Sequence, residues 1–297
     1  MFHLQFLSFK YSKSFLIIAI CIAFCMSFTY LSNPGVAILE KVFATNHSIT
    51  GVKLTMLIKE RIDGEFLNKK TDFKILYSPY KIYLKQYYPY EGLEILYIQG
   101  ENKDEAFLNR NTRALSNFTL DPLGNQMRKN NHHSIFRAGY SYFLEVVEAL
   151  YNKYDKNDTN YWQYKGLVKY NNIICYKIVF QNDNFRYVPY KVRNGETLES
   201  ISKKLLVCDY LILEKNPEIK SFEELKPGST IMVPSEYARQ IVMYIDKERQ
   251  FPVGLKNYDD KGLFQHYTFL HFELNPKFSD QDFNFDNPEY GFKETIF

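Results

Sequence analysis

Apolar residues recur at every second position through most of this chain, and that period fits strands rather than helices. Val52, Leu54, Met56 and Ile58 alternate with polar neighbours, which places alternate side chains on opposite faces of a pleated ribbon. Asp63-Gly64 supplies a turn and the alternation resumes at Phe66. Further runs fall at 72–77, 81–87, 93–99 and 105–109, separated by Ser78-Pro79, Pro89 and Gly100-Glu101-Asn102. Downstream, 161–170 and 173–180 flank Asn171-Asn172, and runs at 241–246, 253–258 and 263–273 include the turn Asp259-Asp260-Lys261-Gly262. Short antiparallel strands joined by tight turns fit this spacing. The 17% aromatic content, with 25 Tyr and 25 Phe, agrees, because these side chains suit half-buried pleated surfaces.

Helical period appears only locally. Pro34 to Thr45 carries Val36, Leu39, Val42 and Phe43 on one stripe. Residues 110–132 read as a polar loop, and a helix is predicted over 133–151 with Ile135, Phe136, Tyr142, Phe143, Val146, Val147 and Leu150 on its buried face. The expected fold class is therefore α+β, a curved antiparallel sheet packed on helices. Tyr83, Tyr87, Tyr97, Tyr142, Phe143, Tyr164, Tyr176, Phe180, Tyr267, Phe269 and Phe272 are candidates to line its concave side, or else simply to fill its core. The tail beyond Asn275 is loop-like, with Phe283, Phe285 and Tyr290 available as plugs against the sheet.

The amino terminus reads as an address. Lys10 and Lys13 precede the apolar run Phe15–Phe28, and no acidic residue occurs before Glu40, the pattern of an export signal. A cleaved signal peptide, an uncleaved inner-membrane anchor and a lipid anchor at Cys25 all remain open, and each exports residues 34–297 to the periplasm or cell envelope. The 37 basic and 34 acidic residues are too balanced for a nucleic-acid binder. Of four cysteines, Cys175 and Cys208 lie outside the leader. An exported chain permits a disulfide between them, and two buried free thiols are the other reading.

Between 189 and 236 the period changes. The chain reads Tyr190-Lys-Val-Arg-Asn-Gly195-Glu196-Thr197-Leu198, a helix to about Leu206, a second helix from Cys208 to Lys215, Asn216-Pro217, Leu225-Lys-Pro-Gly228 and Ile231-Met-Val-Pro234. Thr197 stands at an N-cap position, Gly195 permits a tight strand-to-helix turn, and Asn216 followed by Pro217 ends the second helix. This strand–helix–helix–strand pattern resembles the LysM domain, which binds N-acetylglucosamine polymers such as peptidoglycan. The resemblance implies a sugar groove with Gly195, Glu196, Thr197 and Leu198 on one wall and Asn216, Pro217, Glu218 and Ile219 on the other. Glu196 stands where that family usually has Asp. A module that merely caps and turns the chain is the alternative. Neighbouring ends would let such a module sit inside a hairpin connection.

The surrounding segments, 34–188 plus 237–297, are similar to LolA-like lipoprotein carriers through Asp63-Gly64-Glu65-Phe66, Ser78-Pro79-Tyr80-Lys81 and Leu96-Tyr97-Ile98. Asn117-Phe118-Thr119-Leu120-Asp121-Pro122, Tyr244-Ile245-Asp246-Lys247-Glu248 and Phe251-Pro252-Val253 resemble a bacterial domain of unknown function of the DUF1571 type. The resemblance implies an incomplete β-barrel that holds acyl chains, so lipid or lipoprotein acyl chains are expected partners. No zinc, nucleophile-elbow or phosphate-loop pattern occurs, so no catalytic residue, metal or cofactor is expected. His132-His133 read as solvated loop residues, and Asp155, Asp158, Asp280 and Asp282 as solvated loop carboxylates. The expected function is non-catalytic: peptidoglycan binding by the module and apolar-ligand binding by the half-barrel. The alternatives are a wall hydrolase targeted by the module, and a protein that ties the inner membrane to the wall.

Overall fold

The computed structural model describes residues 33–111, 117–223 and 225–292, so the expected export segment lies outside the described residues up to its last position. Helix α1 (Pro34–His47) leads into β1 (Gly51–Ile62), β2 (Glu65–Tyr77), β3 (Tyr80–Tyr88), β4 (Leu93–Ile98), β5 (Ala106–Asn109) and β6 (Phe118–Leu120). A short α2 (Asn125–Arg128) and α3 (Ser141–Lys153) precede β7 (Trp162–Tyr170) and β8 (Ile173–Gln181). Then come β9 (Tyr187–Lys191), α4 (Leu198–Leu205), α5 (Asp209–Lys215) and β10 (Thr230–Pro234), and finally β11 (Gln240–Asp246), β12 (Phe251–Asp259) and β13 (Gly262–Leu274).

Eleven strands form one sheet in the order β6-β5-β4-β3-β2-β1-β13-β12-β11-β8-β7, and neighbours run antiparallel. Among the described residues the result is a mostly antiparallel curved sheet with few helices, and β6 and β7 stand at its two ends, so it is not a closed barrel. Its hairpins follow from local chemistry. Asp63 and Gly64 take φ of 50° and 87°, and Asn171 and Asn172 take 47° and 65°. Two successive left-handed residues match the twist of a two-residue hairpin, and Asn, Asp and Gly tolerate them best. Asn33 caps α1 by accepting from the Gly35 amide at 3.0 Å, with Pro34 in the first turn.

Alternation gives the first four strands two apolar faces. On the inner face Met56, Phe73, Ile75, Ile82, Leu84 and Ile95 join Leu39, Val42 and Phe43 of α1 and Phe143, Val146, Val147 and Leu150 of α3 in one core. On the outer face Tyr83 and Leu96 meet Phe283, Tyr290 and Phe292 of the tail. Tyr83 and Tyr290 stack with centroids 3.7 Å apart, so the tail residues do plug the sheet.

The structure corrects several expectations. The helix predicted from His133 begins only at Ser141. Gly139, at φ +83°, takes a conformation that ends regular helix, and 133–140 instead form a loop with one 3-10 turn at Ile135–Arg137. Phe136 is consequently exposed. Asp282 is no free loop carboxylate: it pairs with Lys74 at 2.8 Å, which together with the Ser279 amide outweighs burial and draws its pKa down to about 2. Cys175 and Cys208 are both buried free thiols.

The segment 187–234 folds as β9–α4–α5–β10, with β9 and β10 paired in a separate two-stranded sheet. It interrupts the connection between β8 and β11, whose residues Phe180 and Ile241 sit opposite each other in the main sheet. Val192, Leu198, Ile201, Val207, Ile212, Ile231 and Val233 make its own small core. Thr197 caps α4 through Ser200, each side chain accepting from the other residue's amide.

Candidate functional site

The segment between β6 and α3 covers the inner face of β1 to β4. Two adjoining chambers lie beneath it. The inner one, about 120 Å³, is lined by Met56, Ile58, Phe73 and Leu84 of the strands, Phe143 of α3 and Ile135, Ala138 and Gly139 of the cover. The outer one, about 380 Å³, adds Tyr90, Leu108 and Leu120, with Arg110 and Lys129, both exposed, towards solvent. Lys69, Gln86, Leu93, Ile95, Met127 and Asn131 line both. Of the aromatics expected along a concave sheet only Phe143 and Tyr267 reach the inner chamber. Tyr83 faces the opposite side, and Tyr142, Phe180 and Phe269 fill the core.

Sequence reasoning missed the polar floor of this site. Glu60 is 4% exposed. Its carboxylate accepts from Lys69 at 2.9 Å and from the Tyr267 hydroxyl at 2.6 Å. Burial alone would raise its pKa, but the Lys69 ammonium and the Tyr267 hydroxyl outweigh this and hold it far below the ordinary range. Lys69 completes its donors on the Asn130 carbonyl and the Asn131 side chain. The long separation between Glu60 and the cover hides this network from any local pattern.

His132 and His133 are likewise not solvated loop residues. His132 is fully buried and its Nε2 lies 2.8 Å from the Arg61 carbonyl, so that nitrogen carries the proton. The Gln265 amide nitrogen reaches His132 Nδ1 at 2.9 Å and His133 Nε2 at 3.0 Å. His132 Nδ1 therefore accepts, while His133 Nε2 also meets the Tyr237 hydroxyl at 2.8 Å, whose own hydrogen goes to Gln265 Oε1. Burial drives both histidine pKa values down, well down for His133, and keeps them neutral.

The other side of the cover holds the inserted segment. Arg128 pairs with Asp209 at 2.9 Å and Arg137 with Glu199 at 3.0 Å, with Arg128 also lying over the Phe222 ring at 3.9 Å. Arg137 further donates to Ser202 Oγ at 2.8 Å. Tyr210 stacks on His132 and its hydroxyl accepts from the Asp63 amide at 2.9 Å. His133, Cys208 and Asp209 bring one ligand atom each within 4.8 Å of one another. Asp209 is already matched by Arg128, and burial pushes the Cys208 thiol far above its ordinary pKa, so the donor set suits an ion-pair network better than a cation.

The eight residues singled out for sugar binding divide. Gly195, Thr197, Pro217 and Glu218 are exposed. Leu198 is buried in the small core with Ile219 against it, which places the two stretches on one shared cluster. Asn216 is also buried, its amide donating to the Ile212 and Met232 carbonyls at 2.6 and 2.8 Å while accepting from the Met232 amide. Glu196 accepts from Tyr190, the Arg193 amide and Lys204. Leu198, Ile219, Asn216 and Glu196 thus close the fold of the segment.

A family model described as "Protein of unknown function (DUF1571)" matches residues 49–190 and 225–292, leaving out most of the inserted segment. No curated protein matches the chain. Among solved structures, lipoprotein LppX of Mycobacterium tuberculosis aligns over 82% of this chain and 96% of its own, at 12% identity and a TM-score of 0.38. A putative outer membrane lipoprotein-sorting protein domain from Vibrio parahaemolyticus aligns over 84% and 95%, at 11% identity and 0.30. A LolA superfamily protein from Nitrosomonas europaea aligns over 84% and 96%, at 9% identity and 0.31.

Proposed function

This chain belongs to the DUF1571 family, and from that premise we propose that it is a non-catalytic protein of the bacterial cell envelope that holds a lipid-like ligand between its sheet and its cover. The observation that carries this reading is the pair of adjoining chambers on the inner face, whose exposed walls are mostly apolar in area with polar side chains set among them. A concave, largely apolar site with a few fixed polar groups is the usual form of a small-molecule site. The LolA-like character read from the sequence points to the same class of ligand. Native mass spectrometry of the full-length protein, isolated gently from the cells that make it, tests the proposal. A lipid released on denaturation is expected. An apo mass that stays unchanged after incubation with envelope lipids would contradict it. Leu93 lines both chambers, so Leu93→Trp plugs their junction and should weaken acyl-probe binding by about tenfold or more, roughly 1.4 kcal/mol, with the thermal midpoint little changed.

A second component concerns the inserted segment. Its β9–α4–α5–β10 order, capped by Thr197, supports a LysM-like module that docks the protein on peptidoglycan. The exposed Gly195, Thr197, Pro217 and Glu218 would meet the sugar, while Glu196, Leu198, Asn216 and Ile219 hold the loops that present them. Co-sedimentation with purified sacculi should retain the wild type and lose Thr197→Trp. Equal retention of both would remove this component and leave the lipid site as the function.

A further inference from the structure

The inner chamber is apolar in area yet carries hydrogen-bonding atoms that the protein leaves unused. Gln86 Nε2, His133 Nδ1, Ser134 Oγ and Arg137 Nη1 are shut off from solvent and find no hydrogen-bond partner among the described residues. All four residues line the chamber. Gln86 Nε2, Ser134 Oγ and Arg137 Nη1 can each donate, and the role of His133 Nδ1 follows its tautomer. Arg137 Nη1 lies 3.9 Å from Asp209, close enough for attraction and too far for a hydrogen bond. A pure hydrocarbon filling this space would strand at least three donors, and a ligand group that displaces water without replacing its hydrogen bonds loses affinity.

Charge narrows the class further. The charged side chains lining the chamber are already matched: Lys69 by Glu60 at 2.9 Å, and Arg137 by Glu199 at 3.0 Å. His133 stays neutral. A carboxylate or phosphate placed here would be one charge too many in a desolvated site, which is costly. Taking the lipid-binding reading above as its basis, we infer that the inner chamber accepts an uncharged, acceptor-bearing group, the carbonyl of a fatty acyl ester or amide, in preference to a free fatty acid or a bare hydrocarbon.

Competition against a fluorescent acyl probe on the full-length protein tests this at pH 7.5, with monopalmitoylglycerol, palmitamide, palmitate and hexadecane as competitors. The ester and the amide should each compete about tenfold better than palmitate and hexadecane, the scale of one to two neutral hydrogen bonds. Comparing the two tells glyceride-like from amide-linked acyl groups. In the double variant Gln86→Leu, Ser134→Ala the advantage should shrink to about threefold or less, because two of the three donors are gone. Chain binding itself should persist there, which separates the effect from unfolding. Palmitate competing as well as the ester, or an advantage undiminished in the double variant, would overturn the inference while leaving lipid binding intact. Failure of every competitor and of the probe to bind would overturn the lipid-binding reading as well.

Discussion

The two faces of strands β1 to β4 are built from the same alternating sequence and end in opposite states. On β3, Ile82 and Leu84 point inward and Tyr83 outward; on β4, Ile95 points inward and Leu96 outward. The outer face is closed: the tail stacks Tyr290 on Tyr83, and the polar groups beneath are paired, with Tyr83 donating to Glu94 at 2.8 Å and Lys74 to Asp282 at 2.8 Å. The inner face keeps two chambers and, among the described residues, three unpaired donors in Gln86, Ser134 and Arg137. Closure on one side and room on the other, within one sheet, indicates that the room is a feature of the cover and not of a poorly packing sheet.

That difference can be broken by single substitutions. Tyr290→Ala removes the stacked ring from the closed face and should cost about 3 kcal/mol in chemical denaturation, while acyl-probe affinity stays unchanged. Tyr83→Phe deletes one hydroxyl that serves the buried Glu94 carboxylate, and should cost about 2 kcal/mol, since hydrogen bonds to charged groups are the stronger kind. The equivalent deletion on the open face, Ser134→Ala, removes a hydroxyl with no partner and should change stability by no more than about 0.5 kcal/mol.

Acid should sharpen the same contrast. Burial, with Lys256 and Lys59 nearby, lowers the His266 pKa from 6.5 to about 4, and His132 is lowered as well. Folded, these rings bind fewer protons than when unfolded, so their contribution is full above about pH 6.5 and is lost as pH falls towards 4. Asp282 contributes in the carboxylate sense: its pKa falls from 3.8 to about 2, so its share persists until the pH drops through that lower window. Thermal midpoints measured from pH 7.5 downward should decline first between 6.5 and 4. A profile flat to pH 4 would contradict the buried histidines.

Much of the scaffold was legible because its signals are local. The alternation at 52–58, the Asn171-Asn172 turn and the Thr197 cap each depend on residues a few positions apart, and each appears in the structure. The tail aromatics were also legible as plugs, since large apolar side chains in a loop must find cover. The site was not. Glu60, Lys69, His132 and Gln265 meet from β1, β2, the cover and β13, and no spacing in the chain announces that meeting. The apolar spacing of 133–139 mimics a helix, while Gly139, at φ +83°, breaks it into a loop with one 3-10 turn.

Photocrosslinking with a diazirine-bearing acyl ester, followed by peptide mapping, tests the contrast between the two faces most directly. Crosslinks within 127–139 and at inward positions of β1 to β4 are predicted. Crosslinks confined to the tail at 278–292 would contradict the assignment of the open inner face as the ligand site.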